Sequence, residues 1–198
     1  ALANEIASFG WSNKEKFRRK LMPISEAVAR ALDTTRAPII FSDSGDNPGG
    51  GGTGRTTEFL EALLEAKPQD LYYGSYYDPP LALAAKEAGV GNTFTSKFNT
   101  LSGTPYDRPI VCEAQVVGLH DGDVVGRLGL FAGRLMHLGP SAALRIGGIT
   151  VIVISDRTQT ADPMFFEMFG LDIAEAKTVV VKSRGHFRAG FRPWFSPD

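Results

Sequence analysis

The sequence is short of the groups that build self-contained chemistry. It has one cysteine, Cys112, in 198 residues. That excludes a disulfide framework within the chain and fits a reducing, cytoplasmic compartment. It has three histidines, His120, His137 and His186, and no H-E-x-x-H motif. None of the three is paired at metal-ligand spacing, so no complete zinc site is expected from these residues. No apolar run reaches the roughly 18 residues that span a bilayer, so no membrane partner is expected. The net charge of -1 gives the chain as a whole no pull on nucleic acid. The opening, ALANEIASFGW, has neither a Met nor the basic-then-apolar pattern of a signal peptide. The expectation is a piece of a longer polypeptide, with residues 1–20 as a lead-in to one domain over 1–198.

What is present is ordinary globular material, 43% hydrophobic and 22% charged. Residues 11–33 read as helical, with Ser12 and Glu15 in a capping box and a second helix, ISEAVARAL, after Pro23. PIIFSD then reads as a short buried strand, and TTEFLEALLEA as an amphipathic helix. DLYYGSYYD reads as a second strand. Asp78 is a good N-cap for the helix PPLALAAKEA, with Pro suited to its first position and Gly89 as its stop. This order is the grammar of a three-layer α/β unit. After Gly89 the segments become short and β-branched, with HDGD and IGGI as tight hairpin turns. Asp162-Pro163 caps a short helix ended by Gly170, and KTVVVKS is a last buried strand. The predicted fold is α/β: a mixed sheet with flanking helices, its second half richer in hairpins.

Between the first strand and its helix lies SDSGDNPGGGGTGRTTEFL, with four consecutive glycines. Gly49 to Thr56 fits the phosphate loop G-x-x-x-x-G-K-[ST], except that Arg55 replaces the lysine; Gly49, Gly51 and Gly54 also fit G-x-G-x-x-G. Such loops bind phosphate when bare backbone N–H groups converge beside a helix N-terminus. A run of glycines satisfies many such patterns, and Arg is not a neutral replacement for the lysine. A plain tight-turn loop is the bland alternative. Against it, each glycine loses extra conformational entropy on folding, which points to a backbone that must approach something closely.

The C-terminal end has a different character. Lys177, Lys182, Arg184, Arg188 and Arg192 fall in residues 176–197 with no acidic residue. Lys182, Ser183 and His186 follow a buried strand, and in open α/β sheets the C-terminal strand edge is where ligands bind. If PIIFSD runs parallel to that strand, Asp46, Asn47 and the glycine loop share the edge. His186 would then serve as general acid–base or hydrogen-bond an oxyanion, and Lys182 or Arg188 would receive a substrate carboxylate. The bland alternative is a structural histidine on a solvated basic face. The interleaved Phe187, Phe191, Trp194 and Phe195 suit stacking on nucleic acid, but one short segment does not carry that reading.

Several blocks together resemble a known family. DNPGGGGTGRTTEFLEALLE, LMPISEAVARAL, YYDPPLALAAKEAGVG, LGPSAALRIGGITVIVISDRTQTADPMFFEMFGLD and VVVKSRGHFRAGF occur in order over roughly residues 20–192. They resemble the C-terminal domain of the microcystinase C (MlrC) family of candidate metallopeptidases. One departure is Arg55, where family members often carry an acidic residue. The resemblance implies a two-domain hydrolase whose N-terminal domain, absent here, carries zinc, and whose best-known member cleaves linearised microcystin peptides. It implies that this chain needs that N-terminal domain as partner, is inactive alone, and contributes to a cleft for a peptide or amide substrate. The residues expected there are Asp46, Asn47 and His186 as catalytic groups, with Gly49, Gly50, Gly51, Gly52, Lys182, Ser183 and Arg188 binding substrate, and no metal ligand. The alternatives are a phosphate- or nucleotide-binding module using the glycine loop, and a structural domain that self-associates into a homo-oligomer.

Overall fold

A computed structural model describes residues 1–100 and 104–196. The architecture is mixed α/β, built on a seven-stranded sheet. The strands are β1 (Ile39–Ser42), β2 (Leu71–Tyr77), β3 (Thr93–Phe98), β4 (Ile110–His120), β7 (Ser141–Ile146), β8 (Ile149–Ile154) and β9 (Thr178–Val181). Their spatial order is β1-β9-β2-β8-β7-β4-β3. The first four are mutually parallel and the rest antiparallel. Two short strands, β5 (Asp123–Val125) and β6 (Leu135–His137), pair as a separate ribbon.

The parallel half is buried on both faces, as its continuous apolar strands require. On one face Val180, Tyr73, Tyr76 and Val151 pack against α2 (Ile24–Leu32), α3 (Glu58–Ala66) and α4 (Pro79–Ala88). On the other, Val179, Val181, Ile152 and Ile154 meet α5 (Met164–Glu167) and α6 (Phe187–Phe191) through Phe165, Phe166 and Phe191.

Locally encoded features match the sequence reading. Asp78 Oδ1 accepts the Leu81 N–H at the start of α4. Asp162 Oδ1 accepts the Met164 N–H at α5. Gly147 and Gly148 turn β7 into β8, with Ile146 opposite Ile149. Two expectations fail. Residues 11–33 are helical only in part: the second helix, α2, runs from Ile24 to Leu32 as read, but α1 (Leu2–Ser12) begins before the expected start and only a 3-10 turn at Lys14–Phe17 follows it. Ser12 therefore closes a helix rather than capping one, and Asn13 Nδ2 reaches back to the Phe9 carbonyl. HDGD is not a hairpin either. It carries the chain from β4 to β5, which belong to different sheets, and the His120 ring accepts the Gly122 N–H to make that corner.

Candidate functional site

The C-terminal edge of the four parallel strands gathers three segments. The β1–α3 loop, the β8–α5 loop and the residues after β9 all emerge there, because β1, β8 and β9 point the same way. Two hydrogen bonds tie them together. Ser42 Oγ donates to the Ser183 carbonyl at 2.6 Å, and Thr160 N–H donates to the Lys182 carbonyl at 3.3 Å.

Under the glycine loop lies a buried ionic cluster. Lys182 has no exposed surface, and its Nζ donates to Asp46 Oδ2 at 2.7 Å and Asp43 Oδ2 at 2.9 Å. The other Asp46 contacts organise the loop. Its Oδ1 accepts the Gly54 N–H at 2.7 Å, and its Oδ2 accepts the Thr56 N–H at 2.8 Å and the Thr56 hydroxyl at 3.0 Å. Burial pushes the Asp46 carboxyl up, but the Lys182 charge and hydrogen bond, with those N–H donors, reverse this and hold it below 3.8. Burial likewise opposes the Lys182 ammonium. Tyr73, Asp43 and Asp46 outweigh it and keep its pKa well above 10.5. The ammonium lies 5.6 Å from the Tyr73 ring centre and 5.7 Å from that of Tyr76, whose hydroxyls burial keeps protonated.

The loop itself is closed on its own backbone. Asn47 Oδ1 accepts the Gly49 N–H, the Asn47 carbonyl accepts those of Gly50 and Gly52, and the Pro48 carbonyl accepts that of Gly51. The four glycine donors are thus used internally rather than converging outward, which a phosphate cradle requires. Arg55, at the position of the phosphate-loop lysine, packs 5.0 Å from the Tyr77 ring centre. Gly51 turns at φ +94°, a conformation side chains disfavour. Gly49 is needed for proximity: a Cβ there would sit 2.5 Å from Gln159 Oε1.

Gln159 is the residue that sequence reasoning missed. It is only 8% exposed and lies in the β8–α5 loop. Its Oε1 meets His186 Nδ1 at 3.1 Å and accepts from Ser183 Oγ at 3.4 Å. With that oxygen as acceptor, Nδ1 carries the proton and His186 Nε2 is left as a free lone pair, on a side chain exposed at the surface. Glutamine has no motif value, and only the fold brings residue 159 beside residues 49 and 186.

The expected residues thus divide. Gly49, Ser183 and His186 meet at Gln159. Asp46 and Asn47 shape the loop from within, carrying Gly50, Gly51 and Gly52. Lys182 was expected to meet a substrate carboxylate, but its ammonium is enclosed and already shared by two aspartates. Arg188 lies exposed on α6 and makes no ion pair among the described residues; its guanidinium is 5.6 Å from the Phe187 ring centre. Among the described residues, no group of three or more His, Cys, Asp or Glu side chains is placed to hold a metal ion. The local donors do not fit zinc, since Asp43 and Asp46 face an ammonium and the His186 ring meets an amide. Also among the described residues, no helix is long and apolar enough to cross a membrane.

A family model described as the MlrC C-terminus matches residues 41–197. Microcystinase C of Sphingomonas sp. is 30% identical over 164 residues, covering 83% of this chain and 32% of that protein. The crystal structure of a candidate metallopeptidase from Mesorhizobium sp. BNC1 aligns with a TM-score of 0.83 at 25% identity, covering 97% of this chain and 38% of that one. This chain therefore spans about a third of the length of these relatives. With the family model matched over most of its residues and the fold shared, the chain belongs to the MlrC C-terminal family.

Proposed function

We propose that this domain forms one wall of the substrate cleft in a metal-dependent peptide or amide hydrolase resembling microcystinase C. The observation that carries the reading is the meeting of Gly49, Gln159, Ser183 and His186 at the C-terminal edge of the parallel strands. In this reading the metal, zinc by family resemblance, is held by an N-terminal region of the same polypeptide. Among the described residues of this chain, no group of side chains fits that metal.

The chain's own contribution is positional and protonic. Gln159 holds His186 in the tautomer whose Nε2 accepts, so that atom takes a proton or a hydrogen bond from a substrate amide. Ser183 helps fix the same Gln159 oxygen. The glycine loop gives a low wall, so an extended peptide backbone can approach closely. Asp46 and Lys182 keep the loop in place without touching substrate.

The test is hydrolysis of a linear peptide by the full polypeptide carrying this domain. His186→Ala should lower kcat/KM by on the order of 100-fold while the protein stays folded. This chain alone should cleave nothing, and after a zinc soak should hold no stoichiometric metal by elemental mass spectrometry. Wild-type activity in both His186→Ala and Gln159→Ala would leave a structural domain instead.

A further inference from the structure

Beside the glycine loop, lined by Asp43, Ser44, Gly45 and Thr56 but by neither Gln159 nor His186, lies a cavity of about 580 Å³. That is within the ordinary size of ligand pockets, roughly 300–1,000 Å³. Its walls are apolar, with Ile24, Phe41, Phe59 and Tyr106 prominent. Its polar lining includes two carboxylates, Asp43 and Glu58, and no lysine or arginine.

The charges there are unbalanced. Lys182 is one ammonium shared by Asp43 and Asp46, and it is sealed away from the cavity. Asp46 has both oxygens engaged within the loop. Asp43 gives only Oδ2 to Lys182, and its Oδ1 accepts no hydrogen bond among the described residues. That oxygen lies on the side of Gly45, which also lines the cavity. Glu58 is exposed and has no ion-pair partner among the described residues. An apolar cavity with aromatic walls and two underused carboxylates complements an apolar stem ending in a cation. Aromatic faces add to that attraction, and a guanidinium is weakly hydrated and fits a carboxylate by its fork.

We infer that this cavity is a subsite for a basic side chain, arginine above all, of a peptide lying across the glycine loop. Its assignment to the substrate rests on the hydrolase reading; its binding selectivity does not.

The test is a titration of this chain with a short peptide carrying a central arginine, and with the same peptide carrying citrulline. Citrulline keeps the shape and removes the charge. Calorimetry gives affinity, and amide NMR shifts give location. The arginine peptide should bind about tenfold or more tightly than the citrulline peptide, with shifts at Ser44, Gly45 and Phe59. Glu58→Gln, on an exposed position, should weaken the arginine peptide several-fold and leave the citrulline peptide unchanged. Equal affinities, shifts clustered elsewhere, or indifference to both Glu58→Gln and Asp43→Asn would overturn the subsite. Hydrolysis plays no part in this readout. Selective binding in a polypeptide that cleaves no peptide would remove the hydrolase reading and keep the pocket. Selective binding with equal cleavage of both peptides would remove its assignment to the substrate.

Discussion

Lys182 Nζ lies 2.7 Å from Asp46 Oδ2, joining residues 136 positions apart in the sequence. Through this contact the end of β9 holds the folded glycine loop from below. The loop places Gly49 against Gln159, and Gln159 in turn meets Ser183 and His186. The buried ion pair and the surface constellation are therefore two levels of one arrangement.

Removing the cation alone should be severe. Lys182→Met leaves Asp43 and Asp46 close together with no compensating charge, and breaking a buried pair from one side costs about 3–5 kcal/mol. Urea unfolding of the variant should show a loss of that size. Lys182→Met combined with Asp46→Asn should recover part of it, because the second change removes one orphaned charge. Single and double variants of equal stability would show that the cluster is not a coupled unit.

The same pair fixes how stability varies with pH. The Asp46 carboxyl titrates lower in the folded chain than its ordinary 3.8. Its contribution is complete above that value and is lost as pH falls through the folded pKa. Lys182 titrates well above 10.5 when folded, so its contribution is complete below 10.5 and fades as pH rises through the folded value. Denaturation measured from pH 2 to 12 should show the stability gap between wild type and Asp46→Asn widest in the middle of the range, closing at the acid end and starting to narrow above pH 10.5.

The parts of this design differ in how far sequence reveals them. Asp78 before two prolines, and Gly147-Gly148 between two apolar runs, are local devices, and both act where the sequence places them. Ser12 with Glu15 is equally local but misleads, because a capping box signals only where a helix follows, and here one has just ended. The shared strand edge could be anticipated from strand order, given a parallel β1 and β9. The partners at that edge could not. Nothing about Gln159 in isolation marks it, and Lys182 reads as an exposed base until the fold encloses it between two aspartates.

Two loop glycines should separate stability from activity. A Cβ on Gly52 would lie 2.7 Å from the Asn47 backbone nitrogen, and backbone has little room to yield. Gly52→Ala should cost about 1–3 kcal/mol as an overpacked site. The three atoms nearest to a Cβ on Gly49 all belong to the Gln159 side chain, which can swing aside where backbone cannot. Gly49→Ala should therefore keep most of the stability while displacing Gln159 and lowering hydrolysis by the full polypeptide. Thermal unfolding and kcat/KM on the two variants check the pair; the reverse ranking would contradict it.

The role of Gln159 can be read from the His186 ring itself. Gln159→Glu keeps the length of the side chain and sets a carboxylate where the amide oxygen stands, 3.1 Å from Nδ1. A carboxylate at that distance favours the imidazolium, so the His186 titration followed by NMR should move to higher pH than in the wild type. Below the new midpoint Nε2 carries a proton and no longer accepts one. The pH–rate profile of the full polypeptide should then lose activity on its acid side, with kcat restored as pH rises. Gln159→Ala should behave differently, lowering kcat across the profile because the ring loses its orienting partner rather than its basicity. A titration midpoint unmoved by Gln159→Glu would mean that the two side chains do not meet in solution, and the catalytic assignment of His186 would lose its support.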